Sequence, residues 1–194
     1  MNQALANQII DFWFLPATHT DHNRSRREWF RKDENFDALI REKFGDAIEV
    51  ALTTGEFDAK NADQMLAQIL LLDQLTRNIF RGTARAFAGD ARALRLAIAM
   101  TDAGLDQALP PIRRMFAYLP FEHAEDLAMQ EKSVAMFAAL QANDSADFAN
   151  QLDYARRHHA IIARFSRFPH RNEILGRTST LDETEFLTQP GSSF

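Results

Sequence analysis

"ADQMLAQILLLDQLTRNIFR", residues 62–81, decides the fold. Its centre, Ile69-Leu70-Leu71-Leu72, is apolar in every direction around a helix, so the spacing predicts a helix over 62–81 that other elements enclose. Leu66, Leu70, Asp73, Arg77 and Phe80 follow one another at steps of 4, 3, 4 and 3. Asp73 and Arg77 therefore lie on an otherwise apolar line and, four apart, within reach of each other. Gln74, Asn78 and Arg81 form the neighbouring line, below Ala67 and Leu71. A helix buried on all sides is thus expected to carry five hydrogen-bonding side chains on adjacent faces.

The same apolar spacing continues on both sides, and no segment alternates as a strand would. Further helices are expected at 2–15, 24–31, 34–54, 91–103, 111–118, 121–141 and 146–168, with a short one at 181–187. Gly55, Gly82 and Gly104 stand where C-terminal caps belong. Asp90 can cap a helix beginning at Ala91. Pro110, Pro111 and Pro120 stand at helix starts, where a missing N–H costs nothing, and Pro169 should stop the last long helix at Phe168. The connections are short, so neighbours should pack antiparallel. The pair 121–141 and 146–168 has the small-residue and aromatic rhythm of a tetratricopeptide-like hairpin, although no clean repeat of ~34 residues is present. The expected architecture is all-α: a single-domain antiparallel helical array of about eight helices, a tetratricopeptide-like α-α superhelix over residues 1–194, with its core in 5–187 and a loosely ordered tail at 188–194.

Composition narrows the function classes. With 46% hydrophobic residues the chain is neither disordered nor membrane-like. A net charge of -5 argues against general nucleic-acid binding, which needs a basic face. Absence of cysteine excludes a disulfide framework and thiolate chemistry. The opening "MNQALANQIIDFWFLP" has no basic segment before its apolar stretch, and Asp11 interrupts that stretch, which makes a poor signal peptide. Uncharged apolar runs fall far below the ~20 residues of a membrane span. A cytoplasmic protein without membrane partner or bound cofactor is expected. Its oligomeric state is open, with Trp13, Phe14 and Trp29 read as core. Only four of the 22 basic residues are lysine. Arginine makes planar, bidentate contacts with carboxylates and phosphates, so the bias suits partly buried ion pairs or an anion site as well as a GC-rich genome.

Two more helices repeat the polar-on-apolar pattern. His123, Leu127, Gln130, Val134 and Phe137 share one line, with Glu122, Glu125 and Asp126 around His123. Tyr154, His158, Ile161, Phe165 and Phe168 share another, beside Arg157, Arg164 and Arg167. The stretch "ARFSRFPHRNEILGR", 163–177, then adds His170, Arg171 and Asn172 in a turn past the helix. Each has a structural reading: an internal ion pair at Asp73 and Arg77, acids and bases placed to suit helix dipoles, satisfied core histidines, and Arg171 and Asn172 on backbone carbonyls. The functional reading rests on cost. Every buried charge needs a partner, and three helices bear that cost together. Converging lines would make a cleft of acids, arginines and histidines.

Such a cleft suits a small anion or an acidic peptide, with Arg77, Arg81, Arg164, Arg167 and Arg171 as bidentate donors and Asp73, Glu122 and Glu125 holding them. An enzyme would use Glu122 or Glu125 as base near His123, with His170 as acid, or a metal on His123, Glu122 and His170. No HExxH, nucleophile motif or phosphate loop supports the enzyme. An interaction scaffold would offer a concave helical face to a peptide. A purely structural network is the remaining reading.

The strings "FWF" at 12–14, "LLLDQLTRNIFRGTARAFAGD" at 70–90, "YLPFEHAEDLAMQEKSV" at 118–134 and "RFSRFPHRNEILGRTST" at 164–180 resemble a bacterial family known as domain of unknown function 924, from about Ile9 to Leu187. The resemblance implies an all-α, tetratricopeptide-like fold and no established activity, substrate or cofactor. It places the family motifs on Asp73, Gln74, Arg77, Asn78, Arg81, Glu122, His123, Glu125, Gln130, His158, Arg164, Arg167, His170, Arg171 and Asn172. Two departures stand out: the family usually has glycine where this chain has Ser166, and it commonly has a tryptophan before the central helix, where this chain reads "FDAKNADQM".

Overall fold

A computed structural model of the chain describes residues 1–53, 59–144 and 148–193. The expected helix end at Thr54, the cap Gly55, Phe57 and Asp58 of the tryptophan-less segment, the expected helix start at 146 and Phe194 lie outside the described residues. Among the described residues every regular element is helical: α1 (Gln3–Phe14), α2 (Glu34–Thr53), α3 (Ala62–Ile69), a π turn (Leu70–Leu75), α4 (Thr76–Ile79), α5 (Asp90–Asp102), α6 (Pro111–Glu122), α7 (Leu127–Asp144), α8 (Ala149–Phe165) and α9 (Leu181–Leu187). Short 3-10 turns join them. No described helix is long and apolar enough to cross a membrane. The chain divides into two compact units, Met1–Arg81 with Arg85–Pro120, and Gly82–Ala84 with Phe121–Phe194.

In the first unit the 62–79 helix is enclosed, as its apolar centre dictates. Residues 64–76 are all buried, with α1, α2 and α5 packed around them. Trp13, Phe14 and Trp29 belong to this core at 0%, 0% and 5% exposure. The helix is not plain α, however. From Leu70 to Leu75 it widens into a π turn. Two main-chain oxygens there accept from side chains one turn on: Leu72 O from Thr76 Oγ1 at 2.7 Å, and Asp73 O from Arg77 Nη1 at 2.7 Å. Steps of three and four do not hold through a π turn, so the polar lines read from the sequence shift register there. The helix also ends at Ile79, two residues short of the expected 81.

Three sequence expectations are corrected. Residues 24–31 form only a 3-10 turn at Arg27–Trp29, with Arg26 extended at φ -122° and ψ 135° and the Arg26 and Trp29 side chains donating to the carbonyls that end α1 (Phe12 O and Trp13 O). Pro120 lies inside α6, not at a helix start. Burial of Phe116, Ala117, Tyr118, Leu119 and Phe121 carries the helix through it, a packing gain that outweighs the proline penalty. Residues 123–126 therefore form a linker, and α7 starts at Leu127, capped by Asp126 Oδ1 accepting from Met129 N at 3.0 Å. Asp90 does not cap α5 but opens it; the cap position is Gly89.

In the second unit α7 and α8 pack along one another, and Ile161, Ile162 and Phe168 form a core with Phe165 and Phe186. The α8 helix stops at Phe165, three residues before the expected Phe168. Ser166 ends it in the left-handed conformation, φ 59° and ψ 5°. Glycine, which the resemblance leads one to expect at this position, would occupy that conformation without steric cost. Ser166→Gly is expected to stabilise the protein by about 1 kcal/mol, raising the unfolding midpoint by ~2–4 °C in a calorimetric scan. A lowered midpoint would contradict the strain.

Candidate functional site

The polar residues singled out by the sequence fall into two groups, one in each unit. In the first, Arg77 is held between two carboxylates. Its Nη1 lies 3.2 Å from Asp73 Oδ1 and 2.8 Å from Asp90 Oδ1, and its Nη2 donates to Asp90 Oδ2 at 3.0 Å. Asp73 is fully buried and also accepts from Gln74 Nε2 at 2.6 Å. Burial opposes the charge on Arg77, yet the two aspartates win and its pKa is raised. Asn78 and Arg81 turn to α2: Asp37 accepts from Asn78 Nδ2 at 2.6 Å and from Arg81 Nε at 2.6 Å and Nη2 at 3.1 Å.

The second group is organised around Phe168. Its N–H donates to Glu125 Oε1 at 2.8 Å, and its carbonyl accepts from Arg177 Nη2 at 3.1 Å. Arg177 is the hub here. It grips Glu125 through two hydrogen bonds of 2.6 and 2.9 Å and donates through Nε to Asn172 Oδ1 at 3.0 Å. Burial alone would raise the Glu125 carboxyl. The hydrogen bonds from Arg177 and Phe168 N–H, with the charges of Arg177 and Arg171, outweigh that and hold it below the usual range. Glu125 is therefore an anchored anion and a poor general base. Arg167 clasps Glu183 at 2.6 and 2.7 Å, and Arg164 holds Asp182. The Arg167 hydrogen bonds are the main reason Glu183 falls to about 2. Glu183 simultaneously closes a capping box with Thr180. The arginines expected to be held by Asp73, Glu122 and Glu125 are thus mostly held by other acids of this chain.

Gln130 is a structural residue. Its Nε2 donates to Glu122 O at 2.6 Å and Ala124 O at 2.8 Å, closing the end of α6 where helix N–H groups run out. Asn172 is buried between Arg177 and Ser179, whose Oγ accepts from Asn172 Nδ2 at 3.0 Å.

Three imidazoles and Arg171 remain, and they cluster. The Arg171 guanidinium carbon stands 4.4 Å from the Phe168 ring centre, and Nη1 donates to His123 O at 3.2 Å. His158 meets the same ring edge-on at 5.4 Å, His170 lies at 5.6 Å, and His123 is 6.4 Å from His158. His158 Nδ1 lies 2.9 Å from Tyr154 O and 3.3 Å from Glu122 Oε1. A carbonyl only accepts, so Nδ1 carries the proton and Nε2 holds the lone pair. Burial is the chief cause that takes His158 down to about 3; the Tyr154 carbonyl opposes this, while His123, Arg171 and His170 add to it. Burial and then Arg171 take His170 to about 4.

These values fix a pH response. Well above pH 6.5 both histidines are neutral folded and unfolded. As pH falls below 6.5 the unfolded chain takes up protons that the fold refuses, and stability drops by up to ~1.4 kcal/mol per pH unit for each histidine. The loss runs until the folded groups titrate near 4 and 3. Urea unfolding should show a loss on the order of 3 kcal/mol between pH 6.5 and 5, and little change from 8 to 7. A flat profile down to pH 5 would contradict the buried neutral imidazoles.

Among the described residues no group of three or more His, Asp or Glu is placed to hold a metal ion. The sequence reading missed Asp37, Arg177, Asp182 and Glu183. Only Glu183 left a local signal, the Thr180-x-x-Glu183 spacing of a capping box.

Among the described residues the regular elements are all helical, and Arg77, Arg81, Arg164, Arg167 and Arg177 each pair with an acid of this chain, which defines a helical protein rich in internal ion pairs with a histidine–arginine cluster in its second unit. The chain belongs to the DUF924 family, described as bacterial protein of unknown function, whose model matches residues 9–191. It is similar to the solved structure of the protein of unknown function ATU0120 from Agrobacterium tumefaciens: 39% identity over 95% of this chain and 97% of that chain, with a TM-score of 0.79. No curated protein matches it.

Proposed function

We propose that the second unit binds a small anion, a carboxylate or phosphate, at the cluster of His123, His158, His170 and Arg171. The observation that carries this reading is the gathering of two imidazoles and a guanidinium about the Phe168 ring, with His123 beside His158, and with burial first and the Arg171 charge also among the causes that depress both His158 and His170. An anion entering such a cluster pairs with the Arg171 charge and offsets its opposition to protonation of the neighbouring imidazoles. It meets N–H donors in surroundings where charge-assisted hydrogen bonds are strong. Binding would also draw a proton onto one imidazole, so affinity should rise as pH falls from 8 to 6. The carboxylate could be free or belong to an acidic peptide; the chemistry of recognition is the same.

The remaining arginines support a structural role instead. Arg77, Arg81, Arg164, Arg167 and Arg177 each hold a carboxylate of this chain, so the broad arginine cleft narrows to one cluster.

Thermal unfolding with inorganic phosphate, succinate and a short acidic peptide tests the proposal. A ligand at 100 times its dissociation constant adds about 2.7 kcal/mol. The wild type should gain more at pH 6 than at pH 8, and Arg171→Met should lose the gain. No shift with any of the three probes at either pH would refute the site.

A further inference from the structure

Outside the polar groups described above, the first unit carries an open groove where the end of α1 meets the start of α2. Its volume is about 500 Å³. Its lining is partly aromatic: Phe12 and Phe36 stack at 5.4 Å and 10°, and Phe44, outside the lining, meets Phe12 edge-on at 5.2 Å. Leu39 adds an apolar edge that is 38% exposed. The polar lining includes Asp11, Glu28 and Asp33, against one cation, Arg26. That cation is already engaged. Its Nη1 donates to Phe12 O at 2.8 Å and Trp13 O at 3.0 Å, and its Nη2 stands 3.6 Å from Glu28. The groove therefore combines apolar and aromatic lining with an excess of acidic side chains.

A second observation comes from Leu15, which also lines the groove. Its backbone sits at φ 64° and ψ 150°, a region that in practice belongs to glycine. A leucine held there keeps its side chain at this edge against the preference of its own backbone. Strain of this kind concentrates at ligand clamps.

We infer that this groove docks a short segment of a partner protein, seating one bulky apolar side chain on Phe12 and Phe36 and presenting a lysine or arginine to Asp11 and Glu28. Charge complementarity selects the basic flank. The open form selects a peptide, because sites for small molecules enclose ~70–90% of the ligand surface. Asp33 contributes less, since its Oδ1 caps α2 by accepting from Asn35 N at 2.9 Å and Phe36 N at 3.1 Å.

The test uses the full chain and fluorescence anisotropy. The probe is a labelled Gly-Lys-Lys-Phe-Leu-Lys-Gly peptide, compared with its counterpart carrying glutamate in place of each lysine. The basic peptide should bind saturably, at least tenfold tighter than the acidic one, and more weakly as salt rises. Asp11→Asn with Glu28→Gln should reduce that affinity at least tenfold. Leu15→Gly relieves the backbone and removes the side chain, so it should weaken binding while the unfolding midpoint holds or rises. Four results would overturn the inference: no saturable binding of the basic peptide, equal binding of both peptides, affinity indifferent to these variants, or displacement by phenethylamine as effective as by unlabelled peptide.

Discussion

Gly89→Ala is expected to lower the unfolding midpoint by roughly 10 °C, a loss of ~3–5 kcal/mol. A Cβ at Gly89 would stand 2.1 Å from Leu72 O, 2.8 Å from Leu72 C and 2.9 Å from Leu72 Cα. All three are main-chain atoms, so no rotamer change makes room. The glycine has φ -89°, which alanine adopts freely, so the penalty is purely one of contact. The chain leading into α5 is laid directly on the π turn of the central helix, and separating them breaks the packing of α3 with α5. Calorimetry of the single variant checks this. A midpoint within ~2 °C of wild type would mean that the two backbones are not in contact.

Arg77→Met should cost a comparable ~3–5 kcal/mol, because it takes the guanidinium from a carboxylate with no exposed surface. Asp73 is 0% exposed, and Arg77 joins it to Asp90. The pairing itself supplies the diagnostic. Asp73→Asn in the Arg77→Met background should recover a large part of the loss, since the buried charge is removed with its partner, and a double-mutant cycle in urea reads the coupling. Additive losses would mean that the two side chains do not depend on each other.

How much of this was legible in the sequence can be judged from particular residues. The uninterrupted apolar run at 69–72 placed the central helix correctly, because burial on all sides needs no knowledge of neighbours. The terminating glycine at Gly104 was equally local, since it follows the α5 cap Ala103 with positive φ, whereas Gly82 lies two residues beyond the helix cap at Phe80. Pro120 misled, because burial of five neighbouring side chains overrode a rule about the backbone of one residue. The π turn was invisible, since no periodicity reports that Leu72 O and Asp73 O would accept from the Thr76 and Arg77 side chains or that the distant Gly89 would lie against Leu72. The candidate site was legible as a set of residue types but not as a set of partners. Asp73 with Arg77 could be paired from their spacing of four. Arg167 with Glu183, Arg177 with Glu125 and Arg81 with Asp37 are 16, 52 and 44 residues apart, and no periodicity reports contacts at that range. The histidines looked alike in the sequence; only burial and the placement of Arg171 distinguish His158 and His170 as neutral groups.

The most direct measurement of the anion reading is a histidine-resolved NMR titration of the full chain from pH 8 to 5, first without added anion and then with saturating phosphate or succinate. The cluster predicts that neither His158 nor His170 protonates above pH 5 in the free protein, and that at least one of them titrates above pH 6 once the anion is bound. Identical titration curves with and without the anions would contradict it and leave the cluster as part of the structural network alone.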